Sequence, residues 1–196
     1  MRNLLIFPGQ GSQFVGMGKA FSENFTQARD VFEEVNDSLS QSLTKIMWDG
    51  DIEDLTKTEN AQPAIMSVSI AIFRVLESEI GIDFGKIGYC AGHSLGEYSA
   101  LVASKALDLD TAAKLLKTRG ISMQKSVPIG QGAMAALIGS SIEQAEQLAK
   151  KISDQNIDLV CDVANDNAPG QVVLSGHADA IEAAINLSVE CLLDNL

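Results

Sequence analysis

With 46% hydrophobic and 20% charged residues, the 196-residue chain has ordinary globular proportions, which exclude a disordered chain and leave room for one or two domains. A formal net charge of −12 excludes general nucleic-acid binding, because neutralising phosphates needs a basic surface. The start MRNLLIFPGQG is too short an apolar run for a secretion signal, the stretch 64–73 is too short and too interrupted for a membrane span, and three cysteines without a C-x-x-C pair favour neither a disulfide framework nor a zinc site; reduced thiols in a cytoplasm are expected.

In chain order, 4–7 is a short apolar run ending at Pro8-Gly9, which predicts a buried parallel strand feeding a glycine loop. Helical spacing runs through 21–39 and 51–55 with polar loops between, and Ile65, Val68, Ile72, Phe73 and Leu76 predict a helix over 63–76. Segment 86–91 reads as a second strand, 92–96 as a tight connection and 95–106 as a helix, after which Asp110 caps another helix running to Lys125. Beyond Pro128 the texture changes. Gly130-Gln131-Gly132 is hinge-like, and 133–138, 142–153, 159–164, 171–175 and 178–187 read as strand, helix, strand, strand and helix. That order is one strand short of the ferredoxin-like β-α-β-β-α-β unit, so the expected organisation is a domain over 1–128 and a smaller one over 129–196.

Gly92-His93-Ser94-Leu95-Gly96 matches G-x-S-x-G between a predicted strand and a predicted helix, the setting of a nucleophile elbow. Such a turn strains the serine and projects its Oγ into a cleft, while the helix behind it offers unpaired amides and a positive dipole end to an oxyanion. The Leu95 amide is the candidate donor. A serine before a helix is also a common cap, and His93, adjacent on the turn, reads as a neighbour of the nucleophile whose ring points away from it.

The loop Pro8-Gly9-Gln10-Gly11-Ser12-Gln13 invites a phosphate-loop reading, but no Walker lysine follows and the third glycine of G-x-G-x-x-G would fall on Phe14. Lying at the end of another strand, it can supply the second oxyanion contact through the Gln10 backbone, or be a bare turn. Five basic residues (Lys105, Lys114, Lys117, Arg119, Lys125) face two acids (Asp108, Asp110) over 105–130, a local patch that suits a phosphorylated or carboxylated ligand as well as it suits plain solvation. Within that stretch Arg119 sits among Ala112, Leu115, Leu116 and Met123 at helical spacing. An inward guanidinium is costly unless it meets an anion, either a buried acid of the protein or a substrate carboxylate gripped by its planar fork.

These residues together resemble the malonyl-coenzyme A:acyl-carrier-protein transacylase family: FPGQGSQ-x-x-GMG at 7–18, Gln62-Pro63-Ala64, GHSLGEYSAL at 92–101, TRG-x-x-MQ at 118–124, GAMAA-x-IG at 132–139 and PGQVV-x-SGH at 169–177. The resemblance implies an α/β fold, with a parallel-sheet, α/β-hydrolase-like large domain and a small ferredoxin-like subdomain, both incomplete in this chain. It implies that Ser94 is acylated, that the Gln10 and Leu95 amides form the oxyanion hole, that Arg119 holds the malonyl carboxylate, that Gln62 lines the site, and that Asn165 lies in a small-subdomain segment facing the cleft. The implied reaction is a ping-pong transfer of malonyl from malonyl-CoA to Ser94 and on to acyl carrier protein in fatty-acid synthesis, by a cytoplasmic monomer that needs no metal or bound cofactor, nucleic acid or membrane.

One departure stands out. The family's activating histidine follows the last small-subdomain strand in a Pro-x-His segment, whereas this chain ends Glu190-Cys191-Leu192-Leu193-Asp194-Asn195-Leu196 and contains only His93 and His177. Impaired turnover, uncovered apolar faces and a truncated or frameshifted reading frame are the expectations. A serine esterase or thioesterase, with Asp158, Asp162 or Asp166 and His177 completing a triad, is the competing enzyme; a non-catalytic remnant or carrier-protein binder is the competing non-enzyme.

Overall fold

The computed structural model describes residues 3–81, 86–128, 130–155 and 157–193, with side chains through 188. The fold is mixed α/β, with one parallel and one antiparallel sheet, and the chain forms two compact units, Met1–Lys125 and Ser126–Leu196.

In the first unit, strand β1 (Asn3–Phe7) pairs in parallel with β2 (Ile87–Gly92), bringing Phe7 opposite Gly92 so that both strands end together. A parallel pair needs a crossover, and five helices supply it: α1 (Lys19–Asn24), α2 (Thr26–Leu39), α3 (Leu43–Asp49), α4 (Ile52–Thr56) and α5 (Thr58–Val75), the last continuing into a single π turn, Leu76–Ile80. Helix α5 is the axis of this unit, burying Ala61, Ala64, Ile65, Met66, Ile70 and Ala71 at 2% exposure or less. Helices α6 (Gly96–Ala103) and α7 (Leu109–Ser126) complete the unit, and Leu95, Val102, Ala112 and Leu116 join the same core.

Several sequence expectations need correction. The helix expected over 21–39 breaks at Phe25, whose backbone is extended; the Asn24 amide donates to the Ala20 carbonyl at 2.7 Å, competing with the helical ladder. Helix α3 forms where a polar loop was expected. It buries Leu43 and Met47 beneath a polar surface, and Trp48 Nε1 donates to the Met17 carbonyl at 3.0 Å, tying α3 to the glycine loop. Helix α5 starts at Thr58, upstream of Pro63, which lies inside it and forfeits one ladder bond that packing compensates. Helix α6 stops at Ala103, and Asp110 is in the first turn of α7 instead of capping it, with its carboxylate 2.8 Å from Lys114 Nζ one turn on.

The second unit runs β3 (Gly132–Ile138), α8 (Ile142–Gln155), β4 (Cys161–Ala168), β5 (Gln171–His177) and α9 (Ala178–Leu193), with the strands antiparallel in the order β3-β5-β4. Val172 and Leu174 of β5 meet Ala145, Ala149 and Ile152 of α8 and Ala180, Ile181 and Ala184 of α9 in a second core. Strands β4 and β5 are longer than expected, joined by a tight turn at Pro169-Gly170, where Gly170 has φ 79°. His177 therefore ends β5 instead of opening the last helix; it pairs with Gly132, and its Nδ1 accepts the Val160 N–H at 2.8 Å.

Large apolar side chains are exposed on both sheets: Ile6 and Tyr89 on the first, Met134 and Ile138 on the second. Cys90 and Cys161 are free thiols, each pushed up in pKa by burial, and the Cys191 side chain lies outside the described residues. Among the described residues no helix is long and apolar enough to cross a membrane.

Candidate active site

Strand β2 ends at Gly92 and α6 begins at Gly96, so the chain reverses over His93, Ser94 and Leu95. Ser94 is forced into the left-handed region, with φ 55°, a conformation costly for a residue with a Cβ. The turn is closed by Gly96 N–H on the His93 carbonyl (2.9 Å) and Glu97 N–H on the Ser94 carbonyl (3.1 Å), and the Leu95 side chain plugs the core beneath it.

Glycine makes the neighbouring approach possible. A Cβ on Gly96 would lie 2.5 Å from the Phe7 carbonyl oxygen and 2.8 Å from that of Pro8, and a Cβ on Gly9 would lie 2.8 Å from His93 Nδ1. The loop after β1 and the elbow after β2 therefore interlock, helped by His93 N–H donating to the Phe7 carbonyl at 3.3 Å. This places the Gln10 and Leu95 backbones on two adjoining loops. Among the described residues neither of these amide N–H groups is paired in the turns, while the Gln10 side chain is anchored by Nε2 donating to Thr58 Oγ1 at 3.1 Å.

Helix α7 brings the cation. Gly120 lets it press onto the first turn of α5, since a Cβ there would be 2.5 Å from Glu59 Cα and 2.7 Å from the Thr58 carbonyl oxygen. The Arg119 guanidinium, half-buried, then forks: Nη1 donates to Gln62 Oε1, and Nη2 donates to Ser94 Oγ at 3.0 Å. Gln62 is fully buried, and its Nε2 donates to Met123 Sδ at 3.4 Å. Ser94, Arg119, Gln62 and Met123 thus form one connected chain of hydrogen bonds within the first unit.

Two expectations about Arg119 are revised. Its helix turns a different face inward, burying Ala112, Ala113, Leu116 and Gly120 and leaving Leu115 and Met123 45% and 49% exposed, because the small residues allow the closest approach. Among the described residues it makes no ion pair with a carboxylate; its partners are a neutral amide and a hydroxyl. A guanidinium so placed beside a serine Oγ keeps donors available for an incoming anion.

Asn165 belongs to the second unit, exposed on β4 next to the first of its two register shifts. The esterase triad candidates with His177 are likewise in that unit, where His177 Nδ1 is engaged by backbone. The described residues contain no cluster of three His, Cys, Asp or Glu side chains able to hold a metal. Sequence reasoning missed Thr58 and Met123 as site residues. A glutamine inside an otherwise apolar run was the available sign that the start of α5 carries more than packing.

A family model described as acyl transferase domain matches residues 4–190. The chain belongs to that family. A Bacillus subtilis malonyl CoA-acyl carrier protein transacylase is 47% identical over 186 residues, covering 94% of this chain and 45% of that protein. The crystal structure of an acyl-carrier-protein S-malonyltransferase from Bartonella henselae superposes with a TM-score of 0.89 at 46% identity, covering 97% of this chain and 60% of the other. A malonyl-transacylase solved in complex with a holo type II PKS acyl-carrier protein gives 0.84 at 38% identity, covering 94% and 58%. The chain spans about half the length of the curated relatives it matches.

Proposed function

We propose that this acyltransferase-family chain takes a malonyl group from coenzyme A onto Ser94 and passes it to the phosphopantetheine thiol of an acyl carrier protein; its relatives are named as malonyl CoA-acyl carrier protein transacylases. The observation that carries the reading is the Arg119 guanidinium on Ser94 Oγ with Gln62 behind it. Ser94 Oγ attacks the thioester carbonyl as its proton passes to solvent water, which returns one to the departing sulfur, and the Gln10 and Leu95 amides hold the oxyanion. Collapse of that intermediate breaks the C–S bond and releases the coenzyme A thiol. Attack by the carrier thiol on the serine ester then restores Ser94. Arg119 exchanges the serine hydroxyl for the free carboxylate, using the N–H groups that Gln62 does not occupy. Asn165 joins the substrate contacts on the family resemblance. Group transfer between thiols needs no redox partner, so no cofactor enters, and the free Cys90 and Cys161 thiols suit a reducing cytoplasm.

The first unit reads as hydrolase-like, because a parallel strand feeds its elbow, and the second as ferredoxin-like, because β-α-β-β-α with strand order β3-β5-β4 reproduces most of that sheet. Arg119 cannot accept the Ser94 proton, and no Pro-x-His occurs in these 196 residues.

Incubation with malonyl-CoA followed by intact-mass measurement tests the reading. A malonyl adduct that Ser94→Ala lacks and that outpaces acetylation from acetyl-CoA is expected; no adduct after prolonged incubation, or equal adducts from both donors, would overturn it. Arg119→Ala separates the esterase reading, since hydrolysis of a neutral ester survives the loss of a carboxylate grip and malonyl preference does not.

A further inference from the structure

Gln62 is buried completely, and its two ends meet groups of opposite kind. Arg119 has only hydrogens to give, so it faces Oε1; a thioether has none, so the Met123 sulfur can face only the NH2 end. Turning the amide over would set its NH2 against the guanidinium and its carbonyl against the sulfur lone pairs, losing both bonds. Met123 and Arg119 therefore select the same orientation of Gln62.

The position of Met123 fits this task better than core filling. It lies one turn beyond Arg119 on α7 and is 49% exposed, yet its sulfur reaches inward to a side chain with no exposure at all. When a ligand draws Nη2 away from Ser94, Gln62 is what still holds the other arm of the guanidinium. A carbonyl locked toward Arg119 then fixes the plane of the fork on which bidentate recognition depends.

We infer that Met123 is a positioning residue for carboxylate selection: its sulfur locks the Gln62 amide so that Gln62 holds Arg119 in register with Ser94. The inference rests on Arg119 being the carboxylate-reading group. Met123→Leu, in the full 196-residue chain, keeps size and apolarity and removes the acceptor. Titration calorimetry should show malonyl-CoA affinity falling roughly three- to fivefold, the size of one weak neutral hydrogen bond, with acetyl-CoA affinity unchanged. Selenomethionine substitution, which keeps a chalcogen acceptor, should retain the wild-type preference.

Equal loss for both ligands would mean that Met123 only packs, and an unchanged preference would mean that it does nothing; either result overturns the inference. In the ligand-free chain the Gln62 side-chain NH2 resonance should shift in Met123→Leu. Absence of malonyl preference in the wild-type chain would sink the carboxylate reading itself. The relay would then stand or fall on the NH2 resonance, an unmoved signal overturning it.

Discussion

The two units are held together in different ways. In the second, the buried side chains among the described residues are apolar apart from the Cys161 thiol, and they line one face of a sheet under two helices. Every buried polar side chain among the described residues (Ser22, Asn60, Gln62, Ser67, Ser99) is in the first unit. Its elbow is assembled by close backbone approach at Gly9, Gly92 and Gly96. Burying polarity opposes folding unless partners are supplied, and of these side chains Gln62 is the one whose partner, Arg119, also reaches Ser94. The second unit shows what packing alone builds; the first shows a core bent around chemistry.

The largest test of that contrast is Leu174→Ala. Leu174 is fully buried in β5, and its truncation should cost about 2 to 5 kcal/mol, read as lost hydrogen-exchange protection in β4, β5 and α8. Retained protection there would mean that the second unit is not a packing-dominated body. Next comes Gly96→Ala. With carbonyl oxygens 2.5 and 2.8 Å from the new Cβ, overpacking of about 1 to 3 kcal/mol is expected in denaturant melts, together with loss of malonyl loading as the two loops separate.

Ser94→Gly sharpens the point from the other side. Relief of the left-handed strain should raise stability by about 1 kcal/mol while abolishing the acyl adduct, so stability and function part company at one residue. A melting temperature that falls would show the turn to be unstrained. The smallest effect belongs to the surface. The Lys114 ammonium, then the Ser38 hydroxyl, hold the Asp110 carboxyl below the usual carboxylate range. A lowered folded pKa stabilises above the unfolded value, roughly pH 4, and is lost as pH falls through the folded one. Asp110→Asn should therefore cause a slight, salt-sensitive loss at neutral pH that vanishes in acid, seen by comparing melts across pH.

What could be read in advance follows the range over which each signal acts. Short apolar runs, period-3.6 patterns and the glycine clusters are local, and they located the strands at 4–7 and 86–91, the elbow at Ser94 and the strand–helix alternation after Pro128. Polar helix α3 and the break at Phe25 escaped because Trp48 and Asn24 act through bonds to the Met17 and Ala20 carbonyls that no periodicity announces.

The sequence alone determined that a serine stands on a sharp turn between a strand and a helix, and that an arginine lies on a helix further along, although the apolar face it was read on is not the face that turns inward. That the two meet was decided by tertiary structure. The bonds concerned span 25 residues from Arg119 to Ser94 and 57 to Gln62, and they exist because Gly120 lets α7 settle onto the start of α5. Likewise, Met123 reads in the sequence as one more apolar residue; only the buried glutamine opposite it turns its sulfur into a hydrogen-bond acceptor. Local patterns fix the conformation of a segment, whereas the partner of a polar atom is chosen by whichever distant segment packing delivers to it.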